Sequence, residues 1–203
     1  MKQINYYILE RLHINKDTGN HSYNYHPKTR DELEKLVKKL IKERGNKADL
    51  NDIDTSEITN MLELFFNSKF NGDISKWAVR NVKNMYSMFE GSNFNGDISE
   101  WDVSNVEDMR YMFSKSKFNG DISEWDVSNV KNMNGMFYRS EFTNENGDIS
   151  NWDVSNVKYM KFMFTNSSFN GDISKWDVSN VKYVNDMFED TPLEKNPPKW
   201  YKN

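Results

Sequence analysis

Every tryptophan of the chain falls on one register. Trp77, Trp101 and Trp125 stand 24 residues apart, Trp152 follows after 27, and Trp176 and Trp200 each come after a further 24. Around each but the last lies a version of NFNGDISEWDVSNVEDMRYMFSKS, the stretch from Asn93 to Ser116. A unit this short cannot bury an apolar face within itself, so self-similar units must stack and share one core. Ile53 lies 24 residues before Trp77 and opens a degenerate first copy, IDTSEITNMLELFFNSKFNGDISK, with a smaller residue at the Trp position. The longer copy carries three extra residues, Thr143, Asn144 and Glu145, and the register resumes beyond them, which assigns the insertion to a loop.

Within one copy, Val106, Met109, Met112 and Phe113 fall at i, i+3, i+6 and i+7, an arc of about 120° on a helical wheel. Ser104 precedes them as a candidate N-cap with Glu107 three residues on, so a short helix is expected in each copy. At two to three turns it would depend on stacked neighbours. A short strand is expected around Asp121 to Ser123, after a bend at Gly120, with Phe118, Ile122 and Trp125 turned inward. The predicted fold is therefore α/β, a right-handed solenoid of short parallel strands and short helices. Equivalent residues would line up as columns. One holds Met61, Met85, Met109, Met133, Met160 and Val184, and another Phe65, Phe89, Phe113, Phe137, Phe164 and Phe188. With Phe beside them and no Cys or His near, the methionines read as core rather than metal ligands.

The remainder divides into caps. Residues 1–52 form an N-terminal cap. A strand is expected over Ile4–Ile14, a turn over Lys16–Asn20 and a return over His21–Tyr25. A helix is expected over about residues 30–44, where Thr29 stands three before Glu32 and Leu33, Leu36, Val37, Leu40 and Ile41 follow at helical spacing up to Gly45. A half repeat, ADLNDID (Ala48 to Asp54), joins the cap to the array over residues 53–191. In the C-terminal cap, residues 192–203, Leu193 takes a Phe position and Pro197 with Pro198 occupies the stretch another copy would use. Proline there removes edge donors, so a monomer is expected.

Charged residues make up 29% of the chain, which by itself suggests disorder, but ten of eleven Met, all thirteen Phe and all six Trp lie from Ile53 onward, at ordered positions. A net charge of −4 with mixed signs argues against nucleic acid, and no apolar run approaches a membrane span. The absence of cysteine removes disulfides, thiolate sites and a lipid-bearing Cys. The start MKQINYYILERLHINKDTG lacks the pattern of a signal peptide, which points to the cytoplasm.

The words FNGDISxWDVSNVxxMxxMFxxS resemble the BspA-like leucine-rich-repeat surface proteins of bacteria over Ile53 to Trp200, and the segment before them resembles the leader found ahead of such arrays. The resemblance implies a leucine-rich-repeat-like solenoid, display on the cell surface, and adhesion or binding to proteins of a host or neighbouring cell.

No catalytic constellation is present. His13, His21 and His26 lie outside the array without metal or nucleophile spacing, and the Ser and Asp residues recur in every copy, so no enzymatic activity and no cofactor are expected. Asp73, Asp97, Asp121, Asp148 and Asp172 would stack as like charges. Either each accepts backbone N–H groups in a turn or the row holds calcium; the turn role is favoured because the glycine-rich nonapeptide of calcium solenoids is absent. Positions that repeat are explained by stacking, so a binding surface must lie where copies differ. Tyr111, Tyr138, Tyr159, Phe162 and Tyr183 are the candidate binding residues, forming a protein-binding patch on the expected helical side. Lys76, Glu100, Glu124, Asn151 and Lys175 form the competing surface. The predicted function is a non-catalytic protein-interaction module, adhesin-like or surface-associated, with a protein partner; a purely structural or assembly role and a carbohydrate-binding adhesin are the alternatives.

Overall fold

A computed structural model describes residues 23–202. Most of the expected N-terminal hairpin lies outside the described residues; its last residue, Tyr25, is bridged in parallel to Ile53.

Helix α1 spans Arg30–Arg44. Thr29 ends the preceding extended chain and its Oγ1 accepts the Glu32 N–H at 3.2 Å, satisfying one of the orphan donors of the first turn. Asp31 and Glu32 at the start, with Lys42 and Arg44 at the end, complement the helix dipole. Gly45, at φ 89°, closes the helix by donating to the Ile41 carbonyl at 2.8 Å. Leu33, Val37 and Leu40 are buried in the same apolar cluster as the array, so α1 lids the first coil. Arg30 fixes the lid: its Nε and Nη2 donate to the Leu62 carbonyl at 3.1 and 2.9 Å, and Nη1 to Glu34 at 2.7 Å.

The array itself departs from the α/β solenoid of short parallel strands and short helices that the sequence predicts. Among the described residues there is one α-helix, a single 3-10 turn at Ile149–Asn151, and no sheet. Coil-to-coil pairing reduces to isolated parallel bridges such as Asn84 to Asp108, Asp108 to Asn132 and Asn132 to Tyr159. The hydrogen-bond pattern supplies the reason. Met109, Tyr111, Phe113 and Lys115 donate to Asn132, Asn134, Met136 and Tyr138 of the next coil at 2.7 to 3.1 Å, while Met112, Ser114 and Ser116 donate three residues back. Alternate amides thus leave the coil and the rest close tight turns. Tyr111 and Lys115 both have φ 54°, a left-handed conformation that neither a right-handed helix nor a strand can pass through. The same two positions have positive φ in every copy, from Glu63 and Asn67 to Asp186 and Asp190. Each copy is therefore a closed run of turns laid upon the next.

Side chains lock the coils together at fixed positions. The indole N–H of Trp101 donates to the Ile74 carbonyl of the preceding coil at 3.2 Å, that of Trp125 to Ile98 at 3.1 Å and that of Trp176 to Ile149 at 3.1 Å. Asn105, Asn129, Asn156 and Asn180 each donate through Nδ2 to a backbone carbonyl one coil back. Phe89, Phe113 and Phe137 stack with centroids 5.6 and 5.7 Å apart, and the Met column is fully buried beside them through Met160. The insertion loops out, with Thr143 N–H on Asn119 Oδ1 at 3.0 Å, and the stack resumes as Phe137 on Phe164 at 5.6 Å. At the last coil Tyr201 meets Phe188 edge-on at 4.9 Å and Trp200 donates to Ile173, while Val178, Val181 and Val184 are only partly covered.

Gly72 marks how closely coils approach. A Cβ there would fall 2.0 Å from the Ala48 carbonyl oxygen of the preceding coil, a backbone atom that cannot turn aside. Gly72→Ala should therefore lower unfolding stability by about 1–3 kcal/mol. A urea melt superimposable on wild type would show that the two coils have room to spare.

Candidate interaction surface

The repeated Asp residues are accounted for by the turns. Asp97, Asp121 and Asp172 accept through Oδ1 the N–H of Ser99, Ser123 and Ser174 at 2.9 to 3.0 Å. The Ser150 and Ser174 amides hold the Asp148 and Asp172 carboxyls below their ordinary range. Among the described residues, no group of three or more His, Cys, Asp or Glu is placed to hold a metal ion. His26 instead pairs with Asp54, Nδ1 to Oδ2 at 3.3 Å. A cleft of 460 Å³ opens beside the cap, lined by Arg44, Asp49, Asp52, Asp73 and Lys76 among others. Much of its charge is committed, since Arg44 forks onto Asp52 with both contacts at 2.9 Å.

Copies differ at, among other positions, the face of the isolated bridges. Five successive residues there define columns: Lys83, Asn84, Met85, Tyr86 and Ser87 in one coil become Glu107, Asp108, Met109, Arg110 and Tyr111 in the next. In the second of these columns, Asn60, Asn84, Asp108 and Asn132 each accept the N–H two residues on at 2.9 to 3.1 Å. That bond steadies the turn. The last two coils give it up, because Tyr159 and Tyr183 occupy the position.

The predicted binding residues are distributed as follows. Tyr159 and Tyr183 are brought together, stacked at 5.6 Å with planes 6° apart, and the Lys161 ammonium stands 4.8 Å from the Tyr183 centroid. Tyr183 is 45% exposed, one of two large apolar side chains so exposed among the described residues; Phe66 is the other. Tyr111 belongs to a separate cluster: its ring meets Tyr86 edge-on at 6.1 Å, and Arg110 lies 4.9 Å over Tyr86 while its guanidinium is paired with Asp108. The same Tyr111 ring covers Gly135, where a Cβ would come within 2.3 Å of it, so much of Tyr111 serves packing. Phe162 is half-buried in the Tyr111 column, and Tyr138 stands apart under Arg139, 5.2 Å from its centroid. The competing row, Lys76, Glu100, Glu124, Asn151 and Lys175, is exposed throughout and carries no aromatic ring.

Three lysines at this face went unremarked in the sequence: Lys158, Lys161 and Lys182. The register shows them: Lys83, Glu107, Lys131, Lys158 and Lys182 share one column, and Lys161 falls in the column of Tyr86 and Arg110. Lys131 is paired with Glu107, whereas no carboxylate among the described residues pairs with Lys158, Lys161 or Lys182.

Among the described residues no helix is long and apolar enough to cross a membrane. Residues 32–147 and 115–201 match the protein family described as "Mycoplasma protein of unknown function, DUF285". No curated protein and no solved structure matches the chain.

Proposed function

The chain belongs to the DUF285 family of Mycoplasma proteins, a repeat family, and from that premise we propose that it is a non-catalytic protein-interaction module, adhesin-like and associated with the cell surface. The observation that carries this reading is the exchange of a turn-stabilising Asn for Tyr in two successive coils, half-buried at Tyr159 and exposed at Tyr183. Tyr159 and Tyr183 contribute less to the turn than the Asn they replace, and Tyr183 remains open to a partner. Phe162 and Tyr111 share one column of the same varied face, and Tyr138 stands apart from it. Exposed aromatic side chains beside cations are the side chains that most often anchor protein interfaces. A carbohydrate-binding role is weaker, because sugar recognition uses a free ring face, and here the rings face each other and Lys161.

Cross-linking of native cells tests the reading. The wild-type chain should capture a stoichiometric protein partner with a membrane-impermeant reagent, and Tyr159→Ala with Tyr183→Ala should reduce capture at least about tenfold, as loss of two interface anchors implies. Capture confined to a membrane-permeant reagent would keep the interaction and overturn the surface association. No stoichiometric partner with either reagent would overturn the module itself.

A further inference from the structure

We propose that Lys158, Lys161 and Lys182, grouped around the Tyr159–Tyr183 stack, form a docking platform for an acidic, extended polypeptide segment. The proposal rests on the protein-interaction reading above and names the chemistry of the partner.

Charge balance along the columns is the first argument. Among the upstream cations of this face, Arg110 is paired with Asp108 and Lys131 with Glu107, whereas Lys83 makes no ion pair among the described residues. In the last two coils the answering acids are missing. Lys158 and Lys182 are exposed and make no ion pair, and Lys161 rests over a ring rather than on a carboxylate. Asp186, three residues beyond Tyr183, is the acid nearest to it in sequence and pairs with no cation among the described residues. On a chain whose net charge is −4, this local excess of positive charge is a reversal of sign. It attracts and orients an anionic partner.

Hydrogen bonding points the same way. No described side chain or backbone group bonds the Tyr159 or Tyr183 hydroxyl, so the platform presents ammonium and phenolic donors together. Such a surface asks for an occupant rich in acceptors. Three cations are few for a phosphodiester chain, whose affinity comes from many phosphate contacts. An extended polypeptide sets same-face side chains about 6.6–6.8 Å apart, comparable with the 5.6 Å step from Tyr159 to Tyr183, so successive acidic side chains can meet successive coils. Apolar contact with the tyrosine edges adds what charge alone does not.

The test uses the full chain and a fluorescent oligo-glutamate peptide, followed by anisotropy, with dextran sulfate and oligo-lysine as parallel probes. Oligo-glutamate should bind, with affinity falling about tenfold when ionic strength is raised to about 0.5 M, and oligo-lysine should not. Lys158→Glu with Lys182→Glu should abolish binding while thermal unfolding remains that of wild type. Lys76→Glu, on the competing exposed row, should leave binding unchanged. Tyr159→Phe with Tyr183→Phe keeps the rings, removes the hydroxyls and should weaken binding about threefold. Equal oligo-glutamate binding by wild type and the double charge reversal would overturn the proposal, as would binding of dextran sulfate alone. A cellular partner captured through Tyr159 and Tyr183 but indifferent to the lysine reversals would sink this inference and leave the interaction module standing.

Discussion

Trp125→Ala lowers unfolding stability by about 3–5 kcal/mol, the range for truncating a buried aromatic side chain. The indole is 3% exposed in the middle of the array, lies 6.2 Å from Phe113, and donates to the Ile98 carbonyl of the preceding coil. Truncation removes both contributions at once, leaving a void between coils and a buried carbonyl without its donor. Trp125→Phe separates them. It retains most of the ring contact and loses the hydrogen bond, so a smaller loss of about 1–3 kcal/mol is expected. Because each coil contacts only its neighbours, a mid-array lesion also loosens the coupling between the two halves, and the denaturant transition should broaden. A loss under about 1 kcal/mol for Trp125→Ala in guanidinium melts would mean that the indole does not bridge coils.

Phe113→Ala produces a comparable loss, about 3–5 kcal/mol, by a different route. The Phe113 ring stacks on Phe89 at 5.6 Å and Phe137 at 5.7 Å along the column, and on Phe118 at 4.2 Å within its own coil. Its removal opens a cavity that touches three coils, and the neighbouring rings cannot close it because their own turns hold them in place. Phe66 is the internal control: 46% exposed, it should tolerate Ala within about 0.5 kcal/mol. Equal melting midpoints for the two variants would contradict the stacked column. Gly72→Ala probes the same coil spacing from the backbone side.

Much of this interior was legible in the chain. The Trp register, the Met and Phe columns and the turn role of the repeated Asp follow from residue type and spacing, since large apolar side chains at a strict period have nowhere to go but a shared core. Thr29, Glu32 and the spacing of Leu33, Val37 and Leu40 mark α1 by the local rules of caps and periodicity. The coil geometry was not legible. Val106, Met109, Met112 and Phe113 fit a helical arc, yet the same spacing suits consecutive turns. Nothing local in Tyr111 or Lys115 favours a positive φ; Gly91 and Gly135, at the equivalent positions of other copies, were the available hint.

The amino-acid order alone therefore determines that units stack, how long each is, and which side chains enter the core, because burial is dictated by composition at a fixed period. Only the tertiary structure decides between helix, strand and turn, since half of the amides in the Met-Phe segment find their acceptors on a coil 23 residues away. It also decides which charges remain unpaired: Lys158 and Lys182 differ from Lys131 only in what the adjoining coil sets beside them.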